Sequence, residues 1–219
     1  MIYFIFIVLI IYFAKNAYDI NKFNDSSEIL EIDELDNYKN KKIFNPILSS
    51  YKLDFDISQF ISDNLYKHYI TNEQLVRLYD FYNLDNIYIH KNPNLYNDSK
   101  LDTSNIDELF FNNYSCNITK SLSIYKDNIT TDILTNKNNN NLLILLNGEM
   151  NVNLYNPIHK DKLSSQNKNK YKIKIKLTKN KNFLYIPTNW LYDIESNDIS
   201  VYINITSDTI FTYHYNLLR

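Results

Sequence analysis

The chain has 219 residues, with 23 Lys and Arg against 25 Asp and Glu, one Cys and one Gly. A net charge of -2 excludes the basic footprint of a nucleic-acid binder. The lone Cys excludes an intrachain disulfide or a cysteine zinc site, and the lone Gly excludes the P-loop and the dinucleotide fingerprint, which need several glycines for close phosphate approach.

Ile2 to Phe13 reads IYFIFIVLIIYF, without a charge. As a helix it spans about 18 Å, and extended to Tyr18 about 27 Å if Lys15 snorkels to the headgroups. The expectation is a single-pass anchor over 1–18; a cleaved signal and a buried core element are the alternatives. Lys15 and Lys22 follow the segment, so the positive-inside rule places the main domain on the cytosolic side. Six N-x-S/T sequons (Asn24, Asn97, Asn113, Asn117, Asn128, Asn204) are what an Asn-rich chain contains by chance.

Residues 19–42, with acidic SSEILEIDELD and basic KNKK, read as a polar tether to a domain over 43–219. From Asp56 to Tyr82, apolar residues at helical spacing predict two short helices broken near Thr71 and Asn72. Asn86–His90 reads as a strand. Ser104 is placed to cap a helix through Phe111, with Asp107 three residues on. Six strands follow: SLSIY, NLLILL, NVNLY, YKIKIKL, NFLYIP and SVYINIT. In YKIKIKL the lysines 172, 174 and 176 fall on one face and Ile173, Ile175 and Leu177 on the other, the pattern of a half-buried or edge strand. The whole is an α+β chain ending in a sandwich or small barrel.

Five strings carry a resemblance. NLLILLNGEMNVNLYNP (141–157), NFLYIPTNWLYDIES (182–196), SVYINIT (200–206), TSNIDELFFNNYSCNITKSLSIYKDN (103–128) and, more loosely, IFNPILS (43–49) are similar to successive pieces of the JmjC-like cupins. That family lies within the 2-oxoglutarate/Fe(II) oxygenase superfamily. The likeness covers roughly 28–219 and implies a double-stranded β-helix, with chemistry needing two His and a carboxylate on iron. The Asn-, Ile-, Tyr- and Lys-rich composition further resembles proteins of large DNA viruses.

Carried over residue by residue, the site is degenerate. The His-x-Asp pair falls in the stretch before Asn141, which offers Asp132 and no His. The second His, two residues after Trp190, is Tyr192. The basic residue two after Gly148 is Met150. The resemblance therefore implies vestigial positions at Asp132, Asn141, Met150, Trp190 and Tyr192, with no catalytic residue, metal or cofactor. Trp190 and Tyr192 are expected to plug the old site, line a pocket or pack the core.

The expected function is a membrane-anchored, non-catalytic binding or structural module, with a protein partner at the barrel mouth. The alternative is an active Fe(II)/2-oxoglutarate protein hydroxylase with displaced ligands, for which His159, Asp161 and His214 are the candidates. A third reading is a structural membrane protein that shares only a β-sandwich pattern. His68 and His90 read as structural or solvated, and Cys116 lacks the neighbouring base that would activate a thiol.

Overall fold

Period-2 alternation in the second half of the chain sends successive side chains to opposite faces, so each long strand can serve two cores. A computed structural model describes residues 2–21, 27–33, 35, 44–84, 87–112, 114–164 and 167–218. Its barrel strands are β6 (Ser115–Tyr125), β7 (Ile129–Thr130), β8 (Leu134–Thr135), β9 (Asn140–Asn147), β10 (Met150–Tyr155), β11 (Ile173–Leu177), β12 (Phe183–Tyr185), β13 (Leu191–Ser196) and β14 (Ser200–Thr209).

These strands alternate between two sheets. One carries the order β12-β9-β14-β6, the other β11-β10-β13-β7, with β8 also on β13. All of these pairs are antiparallel. That order is the double Greek key of a jelly roll, the cupin architecture, so the expected double-stranded β-helix is present. β1 (Leu30–Glu31) and β2 (Ile47–Ser49) extend the first sheet beyond β12, and β5 (Ile89–Asn92) extends it beyond β6, to seven strands.

The seven-stranded sheet is buried on both faces. Leu122, Ile124, Leu142, Ile144, Val201 and Ile203 point outward onto helices α3 (Leu78–Phe81), α4 (Pro93–Ser99) and α5 (Ser104–Phe110), in one apolar core with Leu78, Phe81, Leu95 and Ile106. Their neighbours Tyr125, Leu143, Leu145 and Tyr202 point into the barrel, against Val152, Leu154, Ile175, Leu177 and Ile194 of the other sheet. Gly148 makes the corner between β9 and β10 at φ +81°, where a Cβ would lie 2.2 Å from the Ile199 carbonyl oxygen.

YKIKIKL is an edge strand as expected: Lys174 and Lys176 are exposed while Ile175 and Leu177 are buried. Other expectations are corrected. The segment 56–82 contains α2 (Ile57–Asn64), capped by Asp56, and then a hairpin of β3 (His68–Ile70) and β4 (Leu75–Arg77) before α3. Thr71 turns this hairpin, its hydroxyl accepting from the amides of Glu73 and Gln74. Local hydrogen bonding there overrides the helical spacing. The cap residue of α5 is Thr103 rather than Ser104, which is the first helical residue.

Within 19–42, Leu30–Glu31 pair in parallel with β2 and Leu35 is buried, so part of the stretch expected as a tether belongs to the sheet. Residues 22–26, 34 and 36–42 lie outside the described residues.

The described chain opens with α1 (Ile2–Asn21) and, after the short α6 (Lys168–Tyr171) ahead of β11, ends with α7 (Ile210–Leu218), where Phe211 meets Tyr12 and Phe13 edge-on. Among the described residues no helix is long and apolar enough to cross a membrane, so the single-pass anchor over 1–18 is not supported. The uninterrupted apolar run of α1 stops at Ala14, before Lys15 and Asn16. At 1.5 Å per residue it offers about 20 Å against a hydrocarbon core of about 30 Å.

Candidate functional site

The barrel interior is where a jelly roll of this size holds a ligand or closes on its own side chains. Here it closes. β6 presents Ser121, Ser123 and Tyr125 inward, and β14 presents Tyr202, Asn204 and Thr206, because each string alternates polar or tyrosine with aliphatic residues. Tyr125 and Tyr202 meet edge to face at 5.4 Å between ring centroids, and Tyr88 meets Tyr125 at 5.1 Å. Trp190, Tyr192 and Met150 complete the filling.

β5 closes one end by an irregularity. Its pairing with β6 shifts register between Ile89 and Asn92, and Lys91 sits in the left-handed region at φ +45°. Consecutive strand residues would normally point to opposite faces; this bulge lets both His90 and Lys91 reach barrel tyrosines. His90 Nδ1 shares a 2.6 Å hydrogen bond with the Tyr125 hydroxyl, and Lys91 Nζ donates to the Tyr192 hydroxyl at 3.0 Å. The Lys91 amide, displaced from the ladder, donates to Ser123 Oγ at 2.8 Å.

Protonation follows from this packing. Burial, with the Lys91 charge adding to it, lowers the His90 imidazole to about 4, so it is neutral near pH 7. Burial and the surrounding tyrosines push the Tyr125 hydroxyl far up, and burial does the same to Tyr202. Tyr125 and Tyr202 are thus neutral phenols close to a neutral imidazole. The Tyr202 hydroxyl is itself buried without a well-formed hydrogen bond, beside Tyr125 and Ser123.

Four of the five positions that the resemblance marks out lie in this interior. Met150, Trp190 and Tyr192 belong to its apolar cluster, and Trp190 Nε1 donates to the Phe44 carbonyl at 3.2 Å. Asn141 is buried and accepts at Oδ1 from Asn204 Nδ2 at 2.6 Å. That contact also seals the Asn204 sequon inside the barrel. Asp132 is exposed on the link between β7 and β8 and does not join the group.

The displaced-ligand set does not assemble. His159 and Asp161 sit in a 3-10 turn (Pro157–Lys162), where His159 stacks on Tyr171 at 4.4 Å. His214 is on α7, bonded through Nδ1 to the Ile210 carbonyl. Among the described residues no three His, Cys, Asp or Glu side chains could hold a metal ion. A phenol, a thioether, an indole and an amide do not fit Fe(II) with a dicarboxylate, which calls for imidazole and carboxylate donors. His68 lies exposed on β3, and burial followed by the Asp208 charge raises the Cys116 thiol, so it stays protonated.

Lys91, Tyr125, Tyr202 and Ser123 were not singled out by the sequence reading. The signal lay in SLSIY and SVYINIT, whose alternation places Ser121, Ser123 and Tyr125, and Tyr202 and Asn204, on shared faces. Lys91 carried no such signal, since its direction depends on the bulge.

A second polar group lies on the opposite face of β10 and β13. Buried Asp193 accepts from the Tyr155 hydroxyl at 2.7 Å and from Asn153 Nδ2, which also donates to Glu195. Burial opposes ionisation of Glu195, but Asn153, Lys172 and Lys174 outweigh it and hold its carboxyl below the usual range.

No protein-family model matches the sequence, and no curated protein matches it. Similar solved structures include a cupin superfamily protein from Desulfitobacterium hafniense, 16% identical over 46% of this chain and 72% of that one, with a TM-score of 0.32. Another is the cupin domain of Drosophila melanogaster CENP-C, 15% identical over 41% of this chain and 56% of that one, with a TM-score of 0.30.

Proposed function

We propose that this chain is a catalytically silent, JmjC-like cupin that serves as a binding or structural module at a membrane. The observation that carries the reading is Tyr192, which stands where the resemblance calls for the second iron-binding His and is packed with Tyr125, Tyr202 and Trp190 into the space a cofactor would need. The partner is a protein that contacts the barrel mouth near Tyr88, His90 and Lys91, the half-buried polar residues at that end. The Asn-, Ile-, Tyr- and Lys-rich composition supports a source such as a large DNA virus.

The test is reconstitution of the full chain with Fe(II) and 2-oxoglutarate without oxygen, followed by metal analysis and absorption spectroscopy. The expected result is neither stoichiometric iron nor a metal-to-ligand charge-transfer band. A band with stoichiometric iron would mean that a ligand set forms and that the oxygenase reading is right.

A further inference from the structure

From Tyr3 to Phe13, eleven consecutive apolar residues of α1 are each between 47% and 86% exposed. Successive helical residues are turned by about 100°, so such a run leaves no polar face and no protein-covered side along most of its length. At its foot it meets the domain, where Phe211 of α7 packs against Tyr12 and Phe13. A protein groove covers one face of a helix, and an interfacial amphipathic helix needs a polar face; this one has apolar side chains all round.

Around that foot the domain presents a second apolar surface. Ile210, Tyr213 and Leu217 are exposed along α7. Beside them the start of β6 pairs with the end of β14 through Ser115↔Thr209, next to exposed Tyr114 and Ile118. Tyrosines at the edges of an apolar run, with exposed Lys15 just beyond it, are the composition of a lipid–water boundary.

We propose that α1 enters a lipid bilayer as a wedge about one leaflet deep, and that α7 and the start of β6 rest on the headgroups as a collar. This inference rests on the membrane reading above and adds to it a depth and a docking face. Ile2–Phe13 is about 18 Å long, against about 15 Å for half of the hydrocarbon core. The collar fixes the barrel's orientation, because α7 follows directly from β14 of the seven-stranded sheet.

Two measurements on the full chain test it, using phosphatidylcholine vesicles with and without phosphatidylserine. The first is flotation. The chain is expected to float with the vesicles, and Ile118→Asp with Leu217→Asp to lower partitioning about tenfold, since both side chains are exposed in the fold and only a lipid contact would register the change. The second places a tryptophan at Leu217 and uses acyl-chain-brominated lipid, expected to remove about half of the added emission over the buried Trp190 background. A chain that self-associates and does not float overturns the membrane reading together with the wedge. A chain that floats with Leu217→Trp unquenched and the double variant unimpaired leaves the membrane reading standing and overturns the collar.

Discussion

The two faces of the seven-stranded sheet are equally buried but built from different materials. Outward, Leu122, Ile124, Val201 and Ile203 meet Leu78, Phe81, Leu95 and Ile106, an aliphatic and aromatic contact held mainly by shape, with polar bonds only beside it, from Lys120 to Thr103 and Asp107 and from Asn140 to the Phe110 carbonyl. Inward, β6 and β14 place Ser123, Tyr125, Tyr202 and Asn204, and β9 places Asn141. There the order depends on named hydrogen bonds: Asn204 to Asn141, Lys91 to Tyr192, His90 with Tyr125. An apolar core tolerates many packings, whereas a buried polar atom without a partner is penalised. The interior therefore keeps polar side chains in the space this fold can devote to a ligand, and pairs them mainly with one another.

The comparison breaks most visibly on the outer face. Phe81 is fully buried between the helices and the sheet and carries Lys126 over its ring. Phe81→Ala leaves a cavity that rigid strands cannot fill and is expected to cost about 3–5 kcal/mol. Denaturant unfolding of the variant measures it, and a loss under about 1 kcal/mol would show that the helical layer adds little to the barrel.

Acid should act on the inner face through His90. Its pKa is about 4 in the fold and about 6.5 unfolded, so between these values the unfolded chain binds the extra proton. Stability is then complete above about pH 6.5 and falls as pH drops toward 4, by up to roughly 3 kcal/mol. Carboxylates held low, such as Glu195, lose their contribution only further down, below their unfolded pKa. Urea unfolding from pH 7 to 4 should show this loss in the natural chain and a nearly flat profile in His90→Gln. Equal slopes would place the titrating group elsewhere.

Much of the outer face was legible in the sequence, and less of the inner one. Strands as long as SVYINIT and YKIKIKL show their faces by alternation alone, and the five resembling strings set out their order. Two-residue strands such as β7 and β8 carry no period to read, and the β3–β4 hairpin is hidden because Leu75, Leu78 and Tyr79 fit a helix equally well. At the site, Tyr192 and Met150 could be found by position relative to Trp190 and Gly148. The plug contributed by β5 could not, since it depends on one residue at positive φ that turns Lys91 toward Tyr192.

The smallest and sharpest effect separates two tyrosines whose rings touch. Tyr125 and Tyr202 are both fully buried, 5.4 Å apart, and both lose only an oxygen on mutation to Phe. Their hydroxyls differ in company. Tyr125 is bonded to His90 at 2.6 Å, so Tyr125→Phe leaves a half-buried imidazole nitrogen without its partner and is expected to cost about 1–3 kcal/mol. The Tyr202 hydroxyl has no well-formed bond to lose, so Tyr202→Phe removes an unsatisfied polar atom and should be neutral or stabilising by up to about 1 kcal/mol. The two variants measured side by side hold ring volume and burial nearly constant, leaving the hydrogen bond as the variable. Equal losses would mean that the interior is held by shape like the outer core, and that its polar pairing is incidental to its stability.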